Sequence, residues 1–238
     1  MVFGGKYGQH KRAWGWHQKV GVAILTLLNL ALLWYIVLGP KQYGREVTQP
    51  LSPVDMVILQ EVIPGITVEL AYASDNNIYG QRIYASDQAL LRRGTAEKLK
   101  KAQHILQQQG YGLKVWDAYR PPEAQYKLWQ VMPDRRYVIN PYQGFSNHSR
   151  GVAVDVTLID RQGTEVPMPT PFDDFTARAD RDYSDISPEQ AEHARLLEKA
   201  MVQSGFDSIF YEWWHFNDSE REQYGVFWEE RQTGPVSP

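Results

Sequence analysis

An α+β fold is predicted by three features of the chain: short runs of alternating apolar residues, amphipathic stretches with helix-capping residues between them, and no internal repeat. The expected architecture is a small, mainly antiparallel sheet with helices packed on it, preceded by one N-terminal transmembrane helix. With 238 residues, 43% of them hydrophobic and 22% charged, the chain can bury one good core. A net charge of -3 beside eight Trp and fourteen Tyr offers no basic face, so no nucleic-acid partner is expected and a small ligand is.

Taken in order, the first feature is VGVAILTLLNLALLWYIVL, residues 20–38, nineteen positions without a charge. At about 1.5 Å per residue a helix of that length matches a hydrocarbon core of roughly 30 Å. Lys6, Lys11, Arg12 and Lys19 precede it, whereas only Lys41 and Arg45 follow closely. The asymmetry predicts a basic cytoplasmic tail over 1–19, a single-pass anchor over 20–38 in the cytoplasmic membrane, and everything beyond it periplasmic or extracellular. A cleaved signal peptide is the alternative, but the run exceeds a usual h-region and IVLGP lacks a small-x-small cleavage site. Rising Pro, Gly and Ser content over 39–60 reads as a tether, 61–232 as the folded domain and 233–238 as a frayed tail. The chain has no cysteine, so disulfides cannot hold an exported domain together.

Within the domain, IPGITVELAYAS reads as a strand and GTAEKLKKAQHILQQQG as a helix with Ala96, Leu99, Ala102 and Leu106 on one face and Gly110 as its stop. LKVWDAYRPP is a strand that ends before Pro121 and Pro122, which open the helix EAQYKLWQ and leave Arg120 at the corner. GVAVDVTLI alternates strictly, so Val152, Val154, Val156 and Leu158 face the core and Asp155 faces a cleft. SPEQAEHARLLEKAMVQSG carries a capping box at Ser187 and Gln190, Pro188 in the first turn and Gly205 at the end. SIFYEWWHFN, aromatic and β-branched, reads as a strand.

Two segments carry chemistry. SNHSRGVAVD places His148 and Asp155 seven apart; alone they are an imidazole in a Ser-rich turn and a hydrogen-bonded carboxylate. EWWHF places Glu212 and His215 three apart in an apolar run, where an unpaired charge is costly. Two N/O donors from the second segment and an imidazole from the first make three protein ligands for Zn²⁺, and three ligands leave the open position of a catalytic site. His10 and His17 belong to the basic tail, and His104 and His193 to helix surfaces.

The pattern S-x-H-x-x-G-x-A-x-D, met by Ser146, His148, Gly151, Ala153 and Asp155, together with Glu-x-x-His, resembles the zinc peptidases that cut D-amino-acid peptides of bacterial cell walls. Within them the chain is most similar to the D-alanyl-D-alanine dipeptidase (VanX-like) family, through LAYASDNN, VWDAYRPP, MPTPFDDF and SGFDSIFYEWWHF. The resemblance implies one Zn²⁺ per chain held by His148, Asp155 and His215, with Glu212 as the general base. It implies that Arg120 stabilises charge on the scissile carbonyl oxygen and that Tyr72, Ser146 and Asp173 hold the amino end of a dipeptide. Zinc chemistry agrees, since a nearby carboxylate can take a proton from an activated water and pass it to the leaving amine.

The chain departs from the family pattern at Pro169, where a Gly is usual, around Ala179, where a His is usual, and in a short loop over 132–144. Pro169 bears on the place of Asp173. Positions three apart in a regular strand point to opposite faces, so Glu212 and His215 can serve one centre only if the strand bulges or ends near Trp213. The remainder of FDDFTARADRDYSD reads as a solvated loop, and Trp213 and Trp214 as core and cleft wall. The leading expectation is a membrane-anchored zinc dipeptidase acting on D-Ala-D-Ala or similar dipeptides in cell-wall turnover. The alternatives are a D,D- or L,D-carboxypeptidase trimming peptidoglycan stems, disfavoured by EWWH in place of E-P-W-H, and a non-catalytic wall-binding module.

Overall fold

A computed structural model describes residues 15, 52–135 and 138–228. The expected anchor over 20–38 and the tail over 233–238 lie outside the described residues, and no described helix is long and apolar enough to cross a membrane. The described residues from Ser52 onward form one compact unit.

Its elements run β1 (Met56–Ile58), α1 (Leu59–Val62), β2 (Thr67–Val68), β3 (Leu90–Arg92), α2 (Arg93–Gln107), β4 (Gly112–Asp117), α3 (Pro122–Val131), β5 (Ala153–Ile159), α4 (Pro188–Gln203), β6 (Phe206–Ile209) and β7 (Glu212–Asp218). Five strands form one sheet in the order β2-β4-β5-β7-β6, and β1 pairs with β3 in a separate ribbon. The junctions β4–β5, β5–β7 and β6–β7 are antiparallel, while β2–β4 is parallel, so the α+β sheet is mixed. Met56–Ile58 falls inside the segment read as a tether, and its pairing with Leu90–Arg92 moves the start of ordered structure upstream of Glu61.

The helices form where periodicity and caps place them. Ala96, Leu99, Ala102 and Leu106 of α2 are fully buried, and α2 packs on α4 and on β4. Pro122 sits in the first turn of α3. Ser187 and Gln190 make the reciprocal capping box of α4. Gly110 and Gly205 close α2 and α4 with φ of 90° and 101°, where a side chain is strained.

Two expected strands are corrected. IPGITVELAYAS yields only Thr67–Val68, because the chain coils into a 3₁₀ turn at Ala71–Ala73, whose Tyr72 carbonyl accepts from the Ile83 and Tyr84 amides. SIFYEWWHFN is a hairpin: Phe210 and Tyr211, 51% and 77% exposed, form the turn between β6 and β7. Aromatic composition concealed a turn that has none of the usual Gly, Asn or Pro.

Central strand β5 is buried along its whole length. Val154, Val156 and Leu158 enter the core, as the alternation predicts, and Asp155 takes the other face. On that face the ladder sets Asp155 opposite His215 and Ala153 opposite Asn217 across β7. Across β4 it sets Asp155 opposite Asp117, just after a register irregularity between Val115 and Asp117.

Candidate functional site

Sheet register therefore brings residues from three strands into one row, and the turn before β5 adds an imidazole. His148 lies in a 3₁₀ turn, Asn147–Arg150, capped by the Ser146 hydroxyl, which accepts from the His148 amide at 3.2 Å. Gly151 ends that turn at φ 73°, and a Cβ there would meet Met56 side-chain atoms at 2.9 Å and the Arg92 amide nitrogen at 3.3 Å. Glycine is required at this point of the motif both by the backbone and by the close approach of the β1–β3 ribbon.

One donor atom each from His148, Asp155 and His215 lies within 4.8 Å of the others. His148 Nδ1 is 2.7 Å from the Ala118 carbonyl and so donates to it, leaving Nε2 as a bare lone pair. His215 Nε2 is 3.1 Å from Asn217 Oδ1, and the Asn147 amide donates to the same oxygen at 2.8 Å, which leaves Nδ1 as the free nitrogen of His215. The two free nitrogens face each other at 3.2 Å, and Asp155 approaches both, Oδ1 at 2.9 Å from His215 Nδ1 and Oδ2 at 3.4 Å from His148 Nε2. Converging lone pairs and a carboxylate repel one another unless a cation lies among them, and two imidazoles with one carboxylate suit Zn²⁺. The donor set fits the expected metal, with different ring nitrogens used by the two histidines.

Glu212 reaches the same cleft, with Oε2 3.8 Å from His215 Nδ1. The strand is irregular here, since the β6–β7 register shifts between Ser208 and Ile209. That shift is the bulge which the three-residue spacing demands. Burial raises the Glu212 carboxyl above its ordinary range, with His215 opposing and Asp155 reinforcing.

Arg120 sits just after β4, its Nη2 donating to Asp117 Oδ2 at 2.7 Å and its Nε to the same oxygen at 3.3 Å. Asp117 is wholly buried and also accepts from the Tyr84 hydroxyl at 2.7 Å and the Ala118 amide at 2.8 Å. Asp173 lines the cleft despite Pro169: it is 7% exposed and accepts from the Tyr72 hydroxyl at 2.8 Å. Its backbone stands at φ 59°, in the left-handed region that aspartate tolerates better than most residues. Burial pushes the Asp173 carboxyl up to about 8, with the Tyr72 hydrogen bond opposing and Asp155 adding to the rise.

The cleft encloses about 270 Å³ and is lined by all eight expected site residues, Tyr72, Arg120, Ser146, His148, Asp155, Asp173, Glu212 and His215. Trp214 forms part of its wall, while Trp213 is core, its indole N–H donating to Thr170. Sequence reasoning missed Asp117, Asn217 and the Ala118 carbonyl. Asn217 stands two after His215, a spacing that signals a shared face only once the strand is known, and Asp117, the last residue of β4, meets Arg120 because the chain leaves the strand between them. It also misread part of the acidic run as solvated, since Ala179 and Tyr183 are buried there.

Residues 52–231 match the family model described as D-ala-D-ala dipeptidase, Peptidase M15. The chain is 38% identical to the D-alanyl-D-alanine dipeptidase of Escherichia coli K12 over 170 residues, 71% of this chain and 88% of that one. It is 31% identical to the D-alanyl-D-alanine dipeptidase of Enterococcus faecium, over 68% of this chain and 91% of the relative. A solved structure titled for the LdcB LD-carboxypeptidase aligns with 73% of this chain and 72% of its own at 19% identity, with a TM-score of 0.40.

Proposed function

Because the chain belongs to the D-Ala-D-Ala dipeptidase family of M15 peptidases, which makes it a zinc metallopeptidase, we propose that it hydrolyses D-Ala-D-Ala or closely similar dipeptides at this cleft. The observation that carries the reading is the convergence of His148, Asp155 and His215 donors beside Glu212 in a cleft that also holds a buried acid at Asp173. A zinc ion held by the three donors supplies Lewis-acid polarisation of the scissile carbonyl and makes water nucleophilic at neutral pH.

The chain's own groups do the rest. Glu212 takes a proton from the attacking water as its oxygen bonds to the carbonyl carbon, then gives that proton to the amine nitrogen as the C–N bond breaks. Arg120, fixed by Asp117, offers its guanidinium to negative charge on the carbonyl oxygen. Asp173, with the Tyr72 hydroxyl, receives the substrate ammonium, and Ser146 lines the same cleft while capping the turn of His148. Asn217 and the Ala118 carbonyl fix the histidine tautomers.

The buried acid at Asp173 favours a dipeptide with a free amino end over a longer stem. An N-acylated or extended substrate replaces the ammonium by a neutral amide and loses its charge-assisted hydrogen bond to Asp173, a loss of about 1.5 to 3 kcal/mol. At about 1.4 kcal/mol per factor of ten, kcat/KM for D-Ala-D-Ala should exceed that for its N-acetyl form and for a pentapeptide stem by at least about tenfold. Comparable values would replace the dipeptidase by a carboxypeptidase, and preference for L-Ala-L-Ala would remove the cell-wall assignment.

The charge asymmetry around residues 20–38 supports an anchored enzyme whose domain faces the periplasm or exterior, where it would recover dipeptides released from the wall. A reporter fused after Pro238 should be active outside the cytoplasm; activity inside would reverse this topology.

A further inference from the structure

Glu212 and His215 share the cleft only because β7 is not a regular strand, and one buried side chain sits where the regularity fails. Arg181 donates through Nη2 to the carbonyls of Glu212 at 3.1 Å, Trp213 at 3.0 Å and His215 at 3.1 Å. Successive carbonyls of an extended strand point to opposite edges, so those of Glu212 and Trp213 could not meet at one nitrogen unless the chain coiled between them. The ladder records the same event, since Ser208 pairs with Phe216 and the next residue, Ile209, pairs with Glu212. Arg181 also spans the hairpin: its Nε donates to the Ile209 carbonyl at 2.7 Å and its amide to the Phe210 carbonyl at 3.0 Å.

The side chain is only 6% exposed. Its charge is met by these carbonyl dipoles, by Glu198 at 3.6 Å and by the ring of Phe216, whose centroid lies 4.7 Å away. A planar guanidinium can serve several carbonyls at once, whereas an ammonium cannot reproduce that fork.

We propose that Arg181 is a positioning residue of the centre: its guanidinium, seated among the carbonyls of Glu212, Trp213 and His215, holds β7 irregular so that Glu212 and His215 present their side chains to one cleft. The inference rests on the roles of Glu212 and His215 given above. Arg181 does not line the cleft, so its removal should act on the proton acceptor and the metal donor rather than on substrate contacts.

The test compares the full chain with Arg181→Lys, which keeps the charge, and Arg181→Ala, reading zinc affinity by competition with a chelator and kcat and KM with D-Ala-D-Ala. The expected result for folded Arg181→Lys is zinc binding weakened by about tenfold to a hundredfold, kcat of the zinc-saturated enzyme lowered by a similar factor, and KM unchanged within about threefold. Arg181→Ala should go further in the same direction. Unchanged zinc affinity and kcat in either folded variant would overturn the proposal. So would a rise in KM alone, or the failure of both variants to fold, which would leave Arg181 a residue of stability only. If the unaltered chain cleaves no D-Ala-D-Ala, the dipeptidase reading falls while the zinc-affinity comparison still decides the role of Arg181.

Discussion

Asp155 and His215 stand directly opposite each other on neighbouring antiparallel strands, with Asp155 Oδ1 2.9 Å from His215 Nδ1. A cross-strand pair is fixed by the backbone ladder on both sides, so the two donors are aimed before any metal arrives. Asp155→Asn and His215→Ala should each weaken zinc binding by at least about a hundredfold in equilibrium dialysis. Asn217→Ala, which releases the far nitrogen of His215 and the Asn147 amide but removes no donor to the metal, should cost about tenfold to a hundredfold. Full retention of zinc by His148→Ala and His215→Ala together would place the centre elsewhere.

Glu212 approaches His215 but is assigned to proton transfer. Glu212→Gln should therefore keep its zinc and lose about 10² to 10⁴ in kcat, the range for removing a general base. Metal analysis alongside turnover distinguishes the two roles: parallel loss of zinc would make Glu212 a ligand.

Asp173, with a carboxyl pushed up to about 8 by burial, gives the reaction a pH signature. It receives an ammonium only in its ionised form, so kcat/KM for D-Ala-D-Ala should climb as pH rises towards about 8, and Asp173→Asn should flatten that limb. Stability runs the opposite way. A carboxyl whose folded value lies above its unfolded value lends stability that is present in acid and is lost as pH rises through about 8. Melting curves of the substrate-free chain should show Asp173→Asn gaining on the unaltered protein between pH 5 and pH 9; a constant difference would mean that Asp173 does not titrate there.

Gly151 separates the two donors of the His-Asp segment at φ 73°, with Met56 and Arg92 pressed against the place of a Cβ. Gly151→Ala should destabilise the domain by more than about 1 kcal/mol, seen as a lower Tm, and should displace His148 enough to weaken zinc binding as well. An unchanged Tm would mean that the β1–β3 ribbon yields at no cost.

The sequence by itself determined the parts whose rules are local. The helix faces, the capping box of Ser187 and Gln190, the buried alternation of β5 and the proline corner at Arg120 all depend on residues within one or two turns of each other. The motif stretches likewise carried the resemblance to a family, and that resemblance implied the eight residues that line the cleft. Only the tertiary structure decided what depends on pairing between distant segments. The parallel placement of β2, the ribbon of β1 and β3, and the row Asp117, Asp155, His215 follow from strand register, which no single segment encodes. The hardest feature was the irregular β7, because the residue that holds it, Arg181, lies 31 positions before Glu212. It bonds to backbone carbonyls, and these are the same for every residue type, so the sequence of β7 carries no mark of the partner that bends it.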